Sequence, residues 1–470
     1  MKKELLQLWN LSTINQYQER VKNMNLLVRK GECCLLCGKD YTGRILSNIF
    51  KGEGKITEGS ILVKNEPIEE CNRDVFEHKK IFYVDGDTGF MDSLNLAENL
   101  FILKKNNLRK IFINEKAIHI QAETLLKSYG LYNFNAESKM NSLSAADKIS
   151  LTIVKLIGQG AEMLVLNNIS SEYSEKDIAS LMKLLVKLKE KEVTLLIYDS
   201  CPELFYELTD SIILTNQGKI VKKLLDREEF FEYEKWLRQK EREQAGVEIL
   251  QTENENTLRE TGFEKIRIRG KEPFSIMVKE GEIVYITDLD TMEQAELWDS
   301  LLGKAFYKPV VRLDGKTIEY KDVSRLVKHR IGFWGGHKEC VEILRNLSIK
   351  DNILLPSLKR ISRFGSYQTG AEYILGDNFI IEEGFLALTS QGTEDGNYSE
   401  NDILKTVLYK WKLFHPRVLI LNNIISRTDA DLKEWLKCQL TEMAGRGTAI
   451  ILLETTRREA LELAHRILQI

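Results

Sequence analysis

Met163-Leu164-Val165-Leu166-Asn167-Asn168-Ile169 returns near the other end of the chain as Val418-Leu419-Ile420-Leu421-Asn422-Asn423-Ile424. Each copy is a short aliphatic run closed by two amides. A run of this length bounded by polar residues suits a strand covered on both faces of a parallel sheet. The Asn pair then lies at the carboxyl end of the strand, where open α/β sheets bind their ligands. Two acids at that place could hold a metal and activate a water. Two amides carry no charge and cannot serve as a base. The frame of a catalytic site is kept without its chemistry.

A chain of 470 residues, 43% hydrophobic and 29% charged, exceeds a typical single core and has the balance of a globular protein, so two or three domains are expected. The net charge of -3, with both signs interleaved, gives no electrostatic reason to expect a nucleic-acid partner. The opening MKKELLQLWNLS has no long apolar core or small-residue cleavage site, so it does not read as a signal peptide. No uninterrupted apolar run approaches ~18 residues, and no membrane-spanning helix is expected. These features predict a cytoplasmic protein that reaches a membrane only through partners.

Of seven cysteines, Cys33, Cys34 and Cys37 cluster in one apolar run. Adjacent strand residues point to opposite faces, and no histidine or second cysteine pair stands nearby at ligand spacing, so they read as buried reduced thiols. The six histidines form no spaced constellation. No metal site is predicted.

Alternation in Leu5 to Leu11 and Met24 to Val28 predicts two antiparallel strands. The buried strand Cys33-Cys34-Leu35-Leu36-Cys37 follows, then Gly38-Lys39-Asp40-Tyr41-Thr42-Gly43-Arg44-Ile45 and a helical pattern. A strand, a loop with glycine at its first and sixth positions and a helix is the layout of a phosphate-binding loop, whose backbone N–H groups cradle anions. Downstream come Ser93-Leu94-Asn95-Leu96-Ala97-Glu98-Asn99-Leu100, then Leu143-Ser144-Ala145-Ala146-Asp147, the first aliphatic-Asn-Asn strand, and Thr194 to Ser200.

That order resembles the ATP-binding cassette subunits of ABC transporters, and in particular the tandem-cassette subunits of sugar importers, in which an Ala-Glu-Asn sequence accompanies the Q-loop. The resemblance covers nearly the whole chain. It implies an α/β architecture of two tandem ABC-type P-loop NTPase-like domains, each with a mixed sheet core, an antiparallel β part and a helical subdomain. It also implies which groups are missing. In GxxxxGK[ST], Arg44 stands for the lysine and Ile45 for the Mg²⁺-binding hydroxyl. The Q-loop position falls near Gly86, and Tyr17 is the candidate aromatic that would stack on adenine. The signature is reduced to Ser144 with Ala146 in place of its key glycine. Asn167 and Asn168 replace the Walker B acids, and Ser200 replaces the switch histidine.

Residues 226–258 read as a charged helix and linker between a first cassette, 1–225, and a second, 259–470, truncated at its end relative to the family. The second half repeats the first, which makes a duplicated fold the natural reading. Its loop, Thr287-Asp288-Leu289-Asp290-Thr291-Met292-Glu293-Gln294-Ala295, has no glycine and no lysine, and places three acids where a triphosphate would lie. Leu347 to Ile353 repeat the Asn-containing pattern, and Ile380 to Leu388 read as helix or strand. Tyr398-Ser399-Glu400-Asn401-Asp402 align with the signature and keep only its serine, Ser399, with Asn401 at the key glycine's place. Asn422 and Asn423 replace the second acid pair, and Thr455 the second switch histidine.

In such a family each ATP lies between the loop of one half and the signature of the other, so neither composite site has a complete half. The resemblance thus implies an ABC-type ATPase frame whose hydrolysis is lost, with no cofactor required and at most weak, Mg²⁺-independent ATP binding at Gly38, Lys39, Asp40, Gly43, Arg44 and Ile45. Implied partners are an ABC permease or an active cassette subunit at the inner face of the cell membrane, received by a groove over roughly Asp85 to Lys127 and Gly335 to Gly396. The competing expectation is a working importer ATPase. The acids Asp288 and Asp290 argue against it.

Overall fold

The computed structural model describes residues 3–15, 20–38, 42–101, 115–174, 177–225, 228–230, 232, 259–305, 309–320, 323–335, 343–344, 347–357, 362–363, 366–367, 400–428, 430–454 and 457–470. The chain divides into two compact units, the first of Met1–Asn254 and the second of Glu255–Thr428 and Leu432–Ile470. Most of 226–258, expected as a charged helix and linker, lies outside the described residues, as do Tyr17, Ile380 to Leu388 and most of the second helical subdomain.

In the first unit the strands are β1 (Glu4–Ile14), β2 (Arg20–Arg29), β3 (Cys33–Gly38), β4 (Lys55–Val63), β5 (Glu66–Ile68), β6 (Ile81–Val84), β7 (Met163–Asn167), β8 (Thr194–Tyr198), β9 (Ser211–Asn216) and β10 (Lys219–Leu224). They form an antiparallel sheet of order β2-β1-β4-β5 and a six-stranded sheet of order β10-β9-β3-β8-β7-β6. Only β10 runs antiparallel in the latter. The expected strand β7 is sealed on both sides: Leu164 and Leu166 join one core cluster while Met163 and Val165 join the other. The same split places Cys33 and Cys37 on one face of β3 and Cys34 on the other, all three buried as free thiols. Burial pushes the Cys34 thiol up to about 12, so it stays protonated. Helix α1 (Thr42–Asn48) follows β3, and α2 (Ala145–Gly158) packs over the sheet with the helices Leu96–Phe101 and Glu115–Ser128.

The second unit has β11 (Glu260–Ile266), β12 (Phe274–Lys279), β13 (Ile283–Thr287), β14 (Val310–Leu313), β15 (Lys316–Ile318), β16 (Ile331–Gly335), a two-residue pair β17 (Ser362–Arg363) and β18 (Ser366–Tyr367), then β19 (Val418–Asn422), β20 (Ala449–Leu453) and β21 (Arg466–Gln469). Its antiparallel sheet has the order β12-β11-β14-β15, and its parallel sheet β16-β19-β20-β13-β21. Strand for strand this is the order of the first unit, with β21 in the place of β9. Helices α3 (Thr291–Leu301) and α4 (Glu400–Phe414) stand where α1 and α2 do. The expected architecture of tandem domains with mixed sheets is the one observed.

Small devices repeat as faithfully as the sheets. Lys80 and Arg330, both with left-handed φ of 67° and 64°, introduce β7 and β19 through equivalent backbone bonds. Lys64 Nζ pairs with Glu162 at 2.7 Å in the first unit, and Arg417 pairs with Asp314 in the second. The ion pair is kept with its charges exchanged. A buried Asn99 donates to the carbonyls of Met91, Leu94 and Asn95 and accepts from Met91 N at 2.9 Å. Asn352 does the same with Leu344, Leu347 and Ser348. The Asn of each repeated motif is therefore a loop clamp, four hydrogen bonds from one side chain.

Candidate functional site

The sheet register aligns the two loops without reference to any other protein. Leu36 of β3 pairs with Tyr198, which pairs with Asn167; Ile286 of β13 pairs with Leu453, which pairs with Asn422. Counting from these anchors, Gly38 corresponds to Asp288 and Arg44 to Gln294.

At the first loop, both glycines have a packing reason. A Cβ on Gly38 would fall 2.1 Å from Thr215 Oγ1 on the neighbouring strand, and one on Gly43 would fall 2.6 Å from the Tyr198 ring. Lys39 and Asp40 lie outside the described residues. Thr42 is buried and accepts from Gly218 N at 2.8 Å. Arg44 is buried in the first turn of α1. Ile45, where the resemblance places a Mg²⁺-binding hydroxyl, is 2% exposed and belongs to the hydrophobic core. One turn on, Ser47 donates to Asn167 Oδ1 at 2.8 Å and to Arg44 O at 2.9 Å.

The Asn pairs are held alike. Asn168 and Asn423 have φ of 48° and 54°, the left-handed region in which Asn is among the favoured non-glycine residues. Asn168 N donates to Tyr198 O at 2.7 Å, and Asn423 N to Leu453 O at 2.8 Å. Ser200, expected at the first switch position, donates its N–H to Asn168 Oδ1 at 3.1 Å. The structure thus brings Arg44, Ser47, Asn167, Asn168 and Ser200 to one end of the first parallel sheet. Thr455, its second-unit counterpart, lies outside the described residues.

At the second loop the protein bonds to itself. Asp290 caps α3 by accepting from Glu293 N at 2.8 Å, and Glu293 returns the bond by accepting from Asp290 N at 2.8 Å. Lys271 Nζ lies 3.3 Å from Glu293. Asp288 holds a φ of 66° where the first loop has its glycine. Gln294, in the position of Arg44, donates its amide to Asn422 Oδ1 at 2.9 Å, Asn423 Oδ1 at 3.0 Å and Leu453 O at 3.2 Å. A triphosphate needs these N–H groups and this cation. Here the N–H groups face carboxylates, and the cation is an amide.

The same capping arrangement appears where the resemblance places the first signature. Ser144 accepts from Asp147 N at 3.0 Å and Asp147 accepts from Ser144 N at 3.1 Å, while Ala146 is packed in the core. Ser399 lies outside the described residues, and Asn401 sits half-buried in the first turn of α4.

Two acids escaped the sequence reading. Asp199 and Glu454 directly follow β8 and β20 and serve the turn beyond each Asn pair. Asp199 accepts from Ser170 N at 3.0 Å, Ser170 Oγ at 2.5 Å and Cys201 N at 2.9 Å. Glu454 accepts from Ile424, Ile425 and Ser426 N at 2.8, 3.0 and 3.1 Å. Burial raises the Glu454 carboxyl above its ordinary value, against the pull of those N–H donors. Gln294 escaped notice too. Aligning the two halves strand by strand would have exposed all three.

A metal fits neither strand end. At the first, Asn167 offers an amide oxygen that already accepts from Ser47, and the hydroxyl position is a core isoleucine. At the second, both amide oxygens accept from Gln294. The Asn pairs present no anionic oxygens of the kind Mg²⁺ prefers, and the carboxylates nearby, Asp199 and Glu454, are taken up by backbone N–H groups.

Two units, each with a mixed or parallel sheet, an antiparallel sheet and a strand–loop–helix, are the arrangement expected of tandem ATP-binding cassettes. Residues 21–170 match the family model described as ABC transporter. Over almost its whole length the chain is similar to ATP-binding proteins of sugar importers. It is 23% identical over 471 residues to the xylose import ATP-binding protein of Geobacillus kaustophilus, covering 95% of this chain and 90% of the relative. It is 23% identical over 459 residues to the ribose import ATP-binding protein of Bacillus licheniformis, covering 94% and 90%. Among solved structures, a nucleotide-free ATP-binding cassette from an ABC transporter superposes with a TM-score of 0.41 at 18% identity, covering 49% of this chain and 94% of that one.

Proposed function

We propose that this chain is a non-hydrolysing tandem cassette that serves as a partner-binding or regulatory subunit of a sugar-type ABC system at the inner face of the cell membrane. Its cassettes are residues 1–225 and 259–470, joined by 226–258. The observation that carries this reading is the state of the two strand ends. Both present Asn-Asn instead of acids, and the amide oxygens of both are bonded to neighbouring side chains or backbone of the protein itself.

Phosphoryl transfer rests on positioning the γ-phosphate and neutralising its charge with a metal, a lysine and aligned dipoles. Removing one such group commonly costs ~10²–10³-fold in rate. In this chain the metal, lysine and base positions are all replaced in both halves. The first loop keeps its glycines and a cationic Arg44, which supports at most weak ATP binding without Mg²⁺. The relatives are named as import ATP-binding proteins for xylose and ribose, and that supports a permease or an active cassette subunit as partner. Among the described residues no helix is long and apolar enough to cross a membrane, so attachment runs through the partner.

The test is an ATP hydrolysis assay on the natural chain beside Asn167→Asp with Asn168→Glu. Neither is expected to turn over ATP, because restoring acids at one strand end leaves Ile45, Ala146 and the whole second site altered. Mg²⁺-dependent turnover by either protein refutes the proposal.

A further inference from the structure

We propose that the second loop carries its own anion in place of a phosphate: the carboxylates of Asp290 and Glu293 take the N–H donors that a phosphate would use, and so make this unit indifferent to nucleotide. The inference rests on the non-hydrolysing reading and adds that the block is a specific, removable contact.

Four observations converge on it. The two carboxylates close a reciprocal pair of 2.8 Å bonds with backbone N–H groups at the start of α3. Lys271 supplies a cation 3.3 Å from Glu293, as a bound anion would require. Gln294 spends its amide donors on the Asn pair and Leu453, so it offers no charge of its own. In the first unit the register sets Gly43 opposite Glu293, so the returning half of the pair, the Glu293 carboxylate, belongs to one loop and not to the repeat. A phosphate brought against Asp290 and Glu293 would meet two like charges at a helix terminus that already has its counter-charge. The loop therefore excludes phosphate while retaining what would bind one, namely oriented N–H groups and a nearby ammonium.

The test uses the full chain and the variant Asp290→Ser with Glu293→Gln, which keeps neutral capping groups and removes both charges. Hydrogen exchange of the backbone amides of residues 290–294 is followed with and without inorganic tripolyphosphate, against chloride at matched ionic strength. In the natural chain these amides should exchange at the same rate in both. In the variant they should exchange faster without the anion and slow by roughly tenfold on adding it. An unchanged rate in the variant would show that the acids only cap a helix, and a tripolyphosphate response in the natural chain would show that they exclude nothing; either overturns the inference. Should the double variant fail to fold, Glu293→Gln alone, with the Asp290 cap intact, is read by the same criterion. ATP turnover by the natural chain would remove the non-hydrolysing reading while leaving the exchange result at this loop standing, so the two failures are distinguishable.

Discussion

Replacing Gln294 by leucine removes the amide that joins the second loop to the second Asn pair. Three buried acceptors lose a donor: Asn422 Oδ1, Asn423 Oδ1 and Leu453 O. Leu453 O still accepts from Asn423 N, so two side-chain oxygens are stranded, in residues 1% and 7% exposed. A buried acceptor left without a partner costs ~1–3 kcal/mol, so the substitution should destabilise the second unit by roughly 2–4 kcal/mol after partial relaxation. Trp298, Trp334 and Trp411 are all buried in that unit, so tryptophan fluorescence during urea unfolding follows it. With a slope of ~2 kcal/mol/M, the midpoint should fall by about 1–2 M. Gln294→Lys, which restores the family's cation, offers three donors to the same oxygens and should lose much less. It should still support no ATP turnover. A Leu variant whose midpoint moves by less than ~0.3 M would refute the view that Gln294 ties this site shut.

Asn99→Ala and Asn352→Ala each delete a four-bond clamp and should each destabilise their own unit by about 2–3 kcal/mol, and Asn→Asp at either place should fail to rescue because a carboxylate cannot donate to three carbonyls; chemical denaturation checks both. Lys64→Asp should cost no more than ~1 kcal/mol, since its pair with Glu162 is half-exposed, and adding Glu162→Arg should restore that loss by recreating the arrangement of Asp314 with Arg417; a double-mutant cycle with no coupling would contradict it. Glu454 gives a pH prediction. Its folded carboxyl is raised by burial, so the folded state holds the proton more tightly than the unfolded chain. The stability it contributes is full below the ordinary value of 4.5 and is lost as pH rises through the folded value. Glu454→Gln should therefore lose less stability than the natural chain on going from pH 4.5 upward, read as the urea midpoint across that range.

The two LNN strands were legible because buried parallel strands leave uninterrupted aliphatic runs, and Met163–Asn167 and Val418–Asn422 are such strands on both faces. The duplication was legible for the same reason. What stayed hidden depends on side-chain direction. Asn99 and Asn352 read as companions of a loop motif, and only their bonding shows each to be a clamp. Asp288 and Asp290 were visible as acids that repel phosphate. That Asp290 and Glu293 consume the backbone donors themselves required their geometry. Gln294 stayed hidden because the second loop has no glycines to fix its alignment, and the sheet register was needed to set it opposite Arg44. The left-handed φ at Asn168 and Asn423 also adds a local reason for asparagine at those positions.

In the proposed reading, neither strand end holds Mg²⁺ and a nucleotide for hydrolysis. The most direct test is equilibrium titration of the purified full chain with ATP, with and without Mg²⁺. Weak or absent binding, unchanged by Mg²⁺, is the predicted result; saturable binding in the micromolar range that requires Mg²⁺ would contradict it.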